Sequence, residues 1–255
     1  MGIRVNHKAE TVFYLYGVSQ APVSKRKMAG VHGSAAIETV DCDGLVSWVS
    51  RVSGAEFGEG LSKNMENLDW LAVATTQHQR VVAAIAESNE ILPARFGTVF
   101  LTQSSLRQHV QSRREVLESD FKRIRGGEEW GIKVFVLPPK ASERRQPVRS
   151  GKEYLQAKST LLEVRKPKRR DEEIARLAKE LEGLSVAIAE GGKISSGRRD
   201  LQYQVSVLVK RSDRRKLENL LRKFSREWQG SKQIEATGPW PPYSFVSRSP
   251  AVSVG

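Results

Sequence analysis

LQYQVSVLV, Leu201–Val209, sets Leu201, Tyr203, Val205, Val207 and Val209 on alternate positions, the period of a strand with one buried face. An amphipathic run, Asp213–Trp228, follows it, with Leu217, Leu220, Leu221, Phe224 and Trp228 at helical spacing. A short strand, Gln233–Ala236, comes after that helix, and another, Ser185–Ala189, precedes the alternating one. Further upstream GIKVFVL, Gly131–Leu137, is a strand closed by Pro138 and Pro139. Lys152–Arg165 and Asp171–Glu182 are helical and are interrupted around Pro167. In order, residues 131–236 give β-α-β-β-α-β, the order of a ferredoxin-like, split-βαβ domain. The helical region exceeds what that fold requires, so a modified version with a helical insertion is expected.

The first half is also α+β. TVFYLYGV, Thr11–Val18, is β-branched and aromatic on both faces, which suits a central strand. Two strand-like runs, Ala35–Val40 and Leu45–Ser50, flank DCDG, and Asp-Gly between such runs predicts a hairpin. Asp69–Ala86 carries Trp70, Val73, Ala74, Val81, Val82 and Ile85 on helical spacing, with Asn67 placed to cap it. After ILPARFGTVF, Ile91–Phe100, a second helix runs through Leu106, Val110, Arg113, Leu117, Phe121 and Ile124. It starts near Thr102 or Ser104 and stops at Gly126 and Gly127. The expected organisation is an α+β domain over 1–128, a basic modified ferredoxin-like domain over 129–237, and a strap with its tail over 238–255.

That strap begins GPWPPYSFV, Gly238–Val246, without a single charge in a chain that is 28% Asp, Glu, Lys and Arg. Pro239, Pro241 and Pro242 exclude a helix. Trp240, Tyr243 and Phe245 are too large and apolar to be left loose in water. Two destinations are open: the rings latch the strap across the first domain, or they dock on another protein.

The chain's formal charge of +13 is unevenly placed. Residues 129–255 hold 27 Lys and Arg against 15 Asp and Glu, while residues 1–128 are nearly balanced. A basic face of this kind suits an acidic partner or simply a solvated surface. Cys42, the one cysteine, leaves no intrachain disulfide and reads as a small buried hydrophobe of a reducing cytoplasm. No apolar run is long enough to span a bilayer. The start is a poor signal peptide, because Lys25, Arg26 and Lys27 stand where a small-residue cleavage site belongs.

A search for chemistry finds little. His7, His32, His78 and His109 are too dispersed for a zinc site, and no G-x-S-x-G elbow or phosphate-binding glycine loop is present. No cofactor or metal is expected. His78 lies near the apolar face of its helix and reads as a packed residue rather than a base. Glu128 and Glu129 point to opposite sides if extended, which does not suit paired acid–base work. The loop Gly191–Arg199, GGKISSGRR, is rich in donors but reads first as a hairpin connection. Arg95, between Pro93 and Phe96 in an apolar stretch, reads as a buried structural clamp on carbonyls or a carboxylate. The alternative function is a basic ferredoxin-like RNA-binding module. Against nucleic acid, the strand that should stack bases carries only Tyr203 and no RNP pattern.

Taken together, several stretches resemble the gas-vesicle protein F/L family (GvpF/GvpL). They are FYLYGV at Phe13–Val18, DGLVSWVSRV at Asp43–Val52 and NLDWLAVATTQHQRVV at Asn67–Val82. ILPARFGTVF at Ile91–Phe100, EEWGIKVFV at Glu128–Val136, GKEYL at Gly151–Leu155 and GPWPPYSFV at the end follow in the expected order. The resemblance implies a non-enzymatic accessory or minor structural protein of gas vesicles. It further implies a modified ferredoxin-like second domain, and as partners the small hydrophobic shell protein and other accessory proteins. Trp240, Tyr243 and Phe245 then become candidate shell-protein contacts as well as a candidate latch.

Overall fold

In the computed structural model, residues 11–21, 28–33, 35–137, 167–190 and 200–247 are described. The expected helix at Lys152–Arg165, the GKEYL block, the closing prolines 138 and 139, the loop Gly191–Arg199 and the tail beyond Ser247 lie outside them. The chain divides into two compact units. One comprises the residues up to Glu129 together with those from Pro239 onward, and the other is Trp130–Gly238.

The first unit is built on a sheet ordered β2-β3-β1-β4, with β5 also pairing with β1. Its strands are β1 (Thr11–Gln20), β2 (Ile37–Cys42), β3 (Leu45–Ser53), β4 (Ile91–Pro93) and β5 (Val99–Phe100). β1 is central because both faces are apolar: Val12, Tyr14, Leu15, Tyr16 and Val18 are all buried. Its register with β3 shifts between Leu15 and Gly17. A Cβ on Gly17 would sit 2.6 Å from the Leu92 carbonyl oxygen, so this close approach of β4 needs glycine. The predicted β2–β3 hairpin forms, with Asp43 at φ 58° and Gly44 at φ 87° turning the chain.

The helices are α1 (Gly54–Phe57), α2 (Leu61–Glu66), α3 (Leu68–Ala86), α4 (Gln103–Ser112) and α5 (Arg114–Ile124). Asn67 caps α3 as expected, its side chain accepting from the Asp69 and Trp70 amides at 3.1 and 3.2 Å. Val73, expected on the buried stripe of α3, is instead exposed. Thr102 and Ser105 form a reciprocal capping box at the start of α4. The single helix expected through Ile124 is two, because Arg113 leaves helical geometry at φ −109°, ψ 9°. No Gly or Pro marks that break. The Arg113 amide bonds back to Val110, closing α4 in a tight last turn.

The second unit has a sheet ordered β7-β8-β6-β9: β6 (Gly127–Val136), β7 (Ala187–Glu190), β8 (Leu201–Lys210) and β9 (Lys232–Trp240). Its helices are α6 (Pro167–Leu184) and α7 (Arg214–Glu227). Pro167 is the first residue of α6, where its missing N–H costs nothing. Leu217, Leu221, Phe224 and Trp228 of the second helical run pack with Val205, Val207 and Val209 of β8 and with Leu177 and Leu181 of α6. β9 runs four residues beyond the expected Ala236 and takes in Pro239 and Trp240. It lies at the edge of the sheet order, the position in a sheet where a proline is tolerated.

Candidate functional site

The strap starts in β9 and continues as a single 3₁₀ turn, Tyr243–Phe245, after Pro241 and Pro242. Its three rings have different environments. Phe245 is 4% exposed and Trp240 is 48% exposed. Tyr243 is partly buried against the core of the first unit, with its ring 6.4 Å from that of His78.

Two buried carboxylates grip two serines of the strap. Glu129 Oε2 accepts from the Ser244 amide at 2.8 Å, and Glu129 Oε1 from the Ser244 hydroxyl at 2.6 Å. Asp120 repeats the device three residues on, accepting from the Ser247 amide at 2.7 Å and its hydroxyl at 2.8 Å. Arg123 pairs with Asp120, and Arg113 donates to the Ser247 carbonyl at 2.9 Å. Each bond to a carboxylate is charge-assisted, roughly twice as strong as a neutral one.

Sequence reasoning missed all of these anchors. The available signal was the spacing Ser-x-x-Ser in YSFVS, and acids at 120 and 129 on elements that are otherwise largely apolar. Glu129 serves here as a structural acceptor rather than one half of a catalytic pair.

Beneath the strap lies an aromatic cluster. Tyr14, fully buried, hydrogen-bonds His78 Nδ1 at 2.9 Å and accepts from the Gly97 amide at 3.2 Å. Burial pushes the His78 pKa down to about 4, with the Ala94 backbone acting weakly the other way. Burial pushes the Tyr14 phenol up, and burial together with the Glu129 charge does the same to Tyr243. The Tyr243 hydroxyl and His78 Nε2 have no hydrogen-bond partner at normal geometry among the described residues.

Arg95 corrects the sequence reading. Its side chain is exposed, and among the described residues it makes no ion pair or side-chain hydrogen bond. The clamp at this corner is its own carbonyl, which accepts from the Thr98 amide at 3.2 Å and the Thr98 hydroxyl at 2.8 Å. Cys42 is buried and free. Among the described residues no group of three His, Cys, Asp or Glu is placed to hold a metal, and no helix is long and apolar enough to cross a membrane.

The family described as gas vesicle synthesis protein GvpL/GvpF matches residues 12–247, and the chain belongs to that family. A relative, gas vesicle protein L of Streptomyces sp. (strain CB03234), is 28% identical over 218 residues, 79% of this chain and 80% of its own length. The fold is similar to the crystal structure of the gas vesicle protein GvpF from Anabaena sp. PCC7120, with a TM-score of 0.68 at 18% identity over 94% of this chain and 97% of that one. GvpF from Microcystis aeruginosa gives a TM-score of 0.66 at 18% identity, covering 93% and 99%. The mixed architecture of helices on two sheets is thus that of these proteins, and the role is a gas-vesicle one.

Proposed function

We propose that this chain is a non-enzymatic accessory or minor structural protein of gas vesicles that works in the cytoplasm, binding the small hydrophobic shell protein and supporting its assembly. Family membership along nearly the whole chain supports the gas-vesicle role. The observation that carries the contact is Trp240. It is the one strap ring left half in water, while Phe245 is consumed by the fold and Tyr243 largely so. An apolar ring held in place on an edge strand is a preorganised dock for an apolar partner. Within this reading Phe245 and Tyr243 are the latch and Trp240 is the contact.

We read the domains as 1–128 and 129–237, with 238–255 as a strap that serves the first. The second domain is read as a modified ferredoxin-like fold, supported by its strand order, β7-β8-β6-β9, and by its chain order of strands and helices. The test of function is co-purification with the shell protein from an expressing cell. Trp240→Ala is expected to lose most of the captured shell protein while keeping its melting temperature. Undiminished capture by the folded variant would remove Trp240 as the contact, and absence of capture by the unaltered chain would remove shell-protein binding itself.

A further inference from the structure

The first unit contains a cavity of about 550 Å³, within the range of small-molecule sites. Its wall comes from β1, from the β4–β5 corner, from α4 and α5, and from the strap. The apolar part includes Leu15, Val18, Leu92, Leu117 and Val246. The polar part is one-sided in charge: Arg95 and Arg113 line the cavity, and no Asp or Glu does.

Among the described residues no carboxylate pairs with either guanidinium. Arg113 spends one donor on the Ser247 carbonyl and pairs with no carboxylate among the described residues. Burial lowers its pKa, the mark of a cation taken partly out of water, and no acid is among the causes that set it. Arg95 likewise has no partner among the described residues. The two acids that hold the strap are committed to it, Asp120 to Ser247 and Arg123, and Glu129 to Ser244. His109, tilted against Phe100 with ring centroids 5.1 Å apart, also lines the cavity, and burial together with the Arg113 charge lowers its pKa. A half-buried arginine is normally paired, because its desolvation is otherwise uncompensated. Here the missing anion has a ready place beside an apolar chamber.

We propose that this cavity binds a small carboxylic acid with an apolar body, its carboxylate held by Arg113 and Arg95 and its hydrocarbon against Leu15, Val18, Leu92 and Leu117. The arginine fork matches a carboxylate in geometry, and four of the five N–H groups of Arg113 are still free of the strap. The size of the chamber suits a single small molecule rather than a folded partner.

The test is calorimetric titration of the full chain with decanoate below its micelle concentration, and with 1-decanol as the uncharged counterpart. Decanoate is expected to bind, and decanol to bind at least about tenfold more weakly. Arg95→Gln, at an exposed position without structural bonds, is expected to weaken decanoate about tenfold while leaving the melting temperature unchanged. Arg113→Gln is expected to weaken it at least as much, with retained amide protection in β1 showing that the fold survives. No decanoate binding, equal binding of decanol, or an unchanged affinity in Arg95→Gln overturns the proposal.

Discussion

In the first unit the buried side chains carry polar heads that find one another. Tyr14 bonds His78, Tyr16 donates to Ser50 and accepts from the Val31 amide, and the Trp48 indole donates to Ser19. Glu129 and Asp120 reach serines 115 and 127 positions away in sequence. The second unit is packed mostly from side chains without polar heads, Ile132, Val134, Leu177, Leu181, Val205, Val207, Leu217 and Phe224, with the Trp228 indole as an exception, under a coat of exposed ion pairs such as Lys223–Glu180 and Arg176–Glu227. The contrast separates two ways of specifying a core. Hydrocarbon packing tolerates substitution if volume is kept, whereas a buried hydrogen-bond network demands each partner. The first unit therefore depends on residues scattered through the chain, and the second on the periodicity of a few neighbouring elements.

Large-to-small changes test that separation most severely. Phe245→Ala is expected to cost about 3–5 kcal/mol, and Phe224→Ala a similar amount. Hydrogen exchange should assign the first loss to β1 and β3 and the second to β8. Loss of protection in β8 from Phe245→Ala would break the comparison.

Acid should act on the first unit through His78. Its folded pKa of about 4 lies below the ordinary 6.5, so the unfolded chain takes up the proton first. Stability from this group is therefore complete above pH 6.5 and is lost as pH falls towards 4, by about 3 kcal/mol in all. Denaturant titrations of the wild type and His78→Gln at pH 7 and pH 4 should show a smaller acid loss in the variant. An identical acid loss in both would remove His78 from the account.

A third experiment sets a buried carboxylate against an exposed one. Asp120→Asn keeps the shape but gives up the charge that grips Ser247, at an expected cost of about 2 kcal/mol. Glu180→Gln in the second unit breaks an exposed pair with Lys223 and should cost less than about 1 kcal/mol. Equal midpoints for the two variants would show that the strap's anchors contribute no more than surface pairs. The smallest effect on stability belongs to Trp240→Ala, about 0.5 kcal/mol or less, as for other exposed positions without structural bonds. Its consequence should appear in capture of the shell protein, and a large fall in the melting temperature would show that Trp240 is part of the core.

Local chemistry made much of this legible in the sequence. The Asp43-Gly44 turn, the Asn67 cap, the alternation in β8 and the amphipathic α7 each rest on neighbours a few residues apart, and each is where the residues predict. The strap was conspicuous by composition, but composition is blind to destination. Nothing in GPWPPYSFV says that Phe245 is buried while Trp240 is half exposed, because that depends on elements more than a hundred residues away. Arg113 illustrates the same limit. It interrupts a sound helical pattern without any breaking residue, and its side chain reaches a carbonyl 134 positions downstream. Arg95 shows it too: its neighbours in sequence are apolar, yet its own side chain is exposed.

The strap also orders events during synthesis. Residues 239–247 leave the ribosome only after the whole of Trp130–Gly238 has been made, yet they supply Phe245 to the first unit and donate to Glu129 and Asp120. Domains commonly fold in the order in which they emerge. Here the unit translated first must wait for the unit translated second before its last hydrogen bonds form. Until then two carboxylates and an apolar seat stay open on a half-made chain, and a premature stop just after β8 would damage the N-terminal half as surely as the C-terminal one.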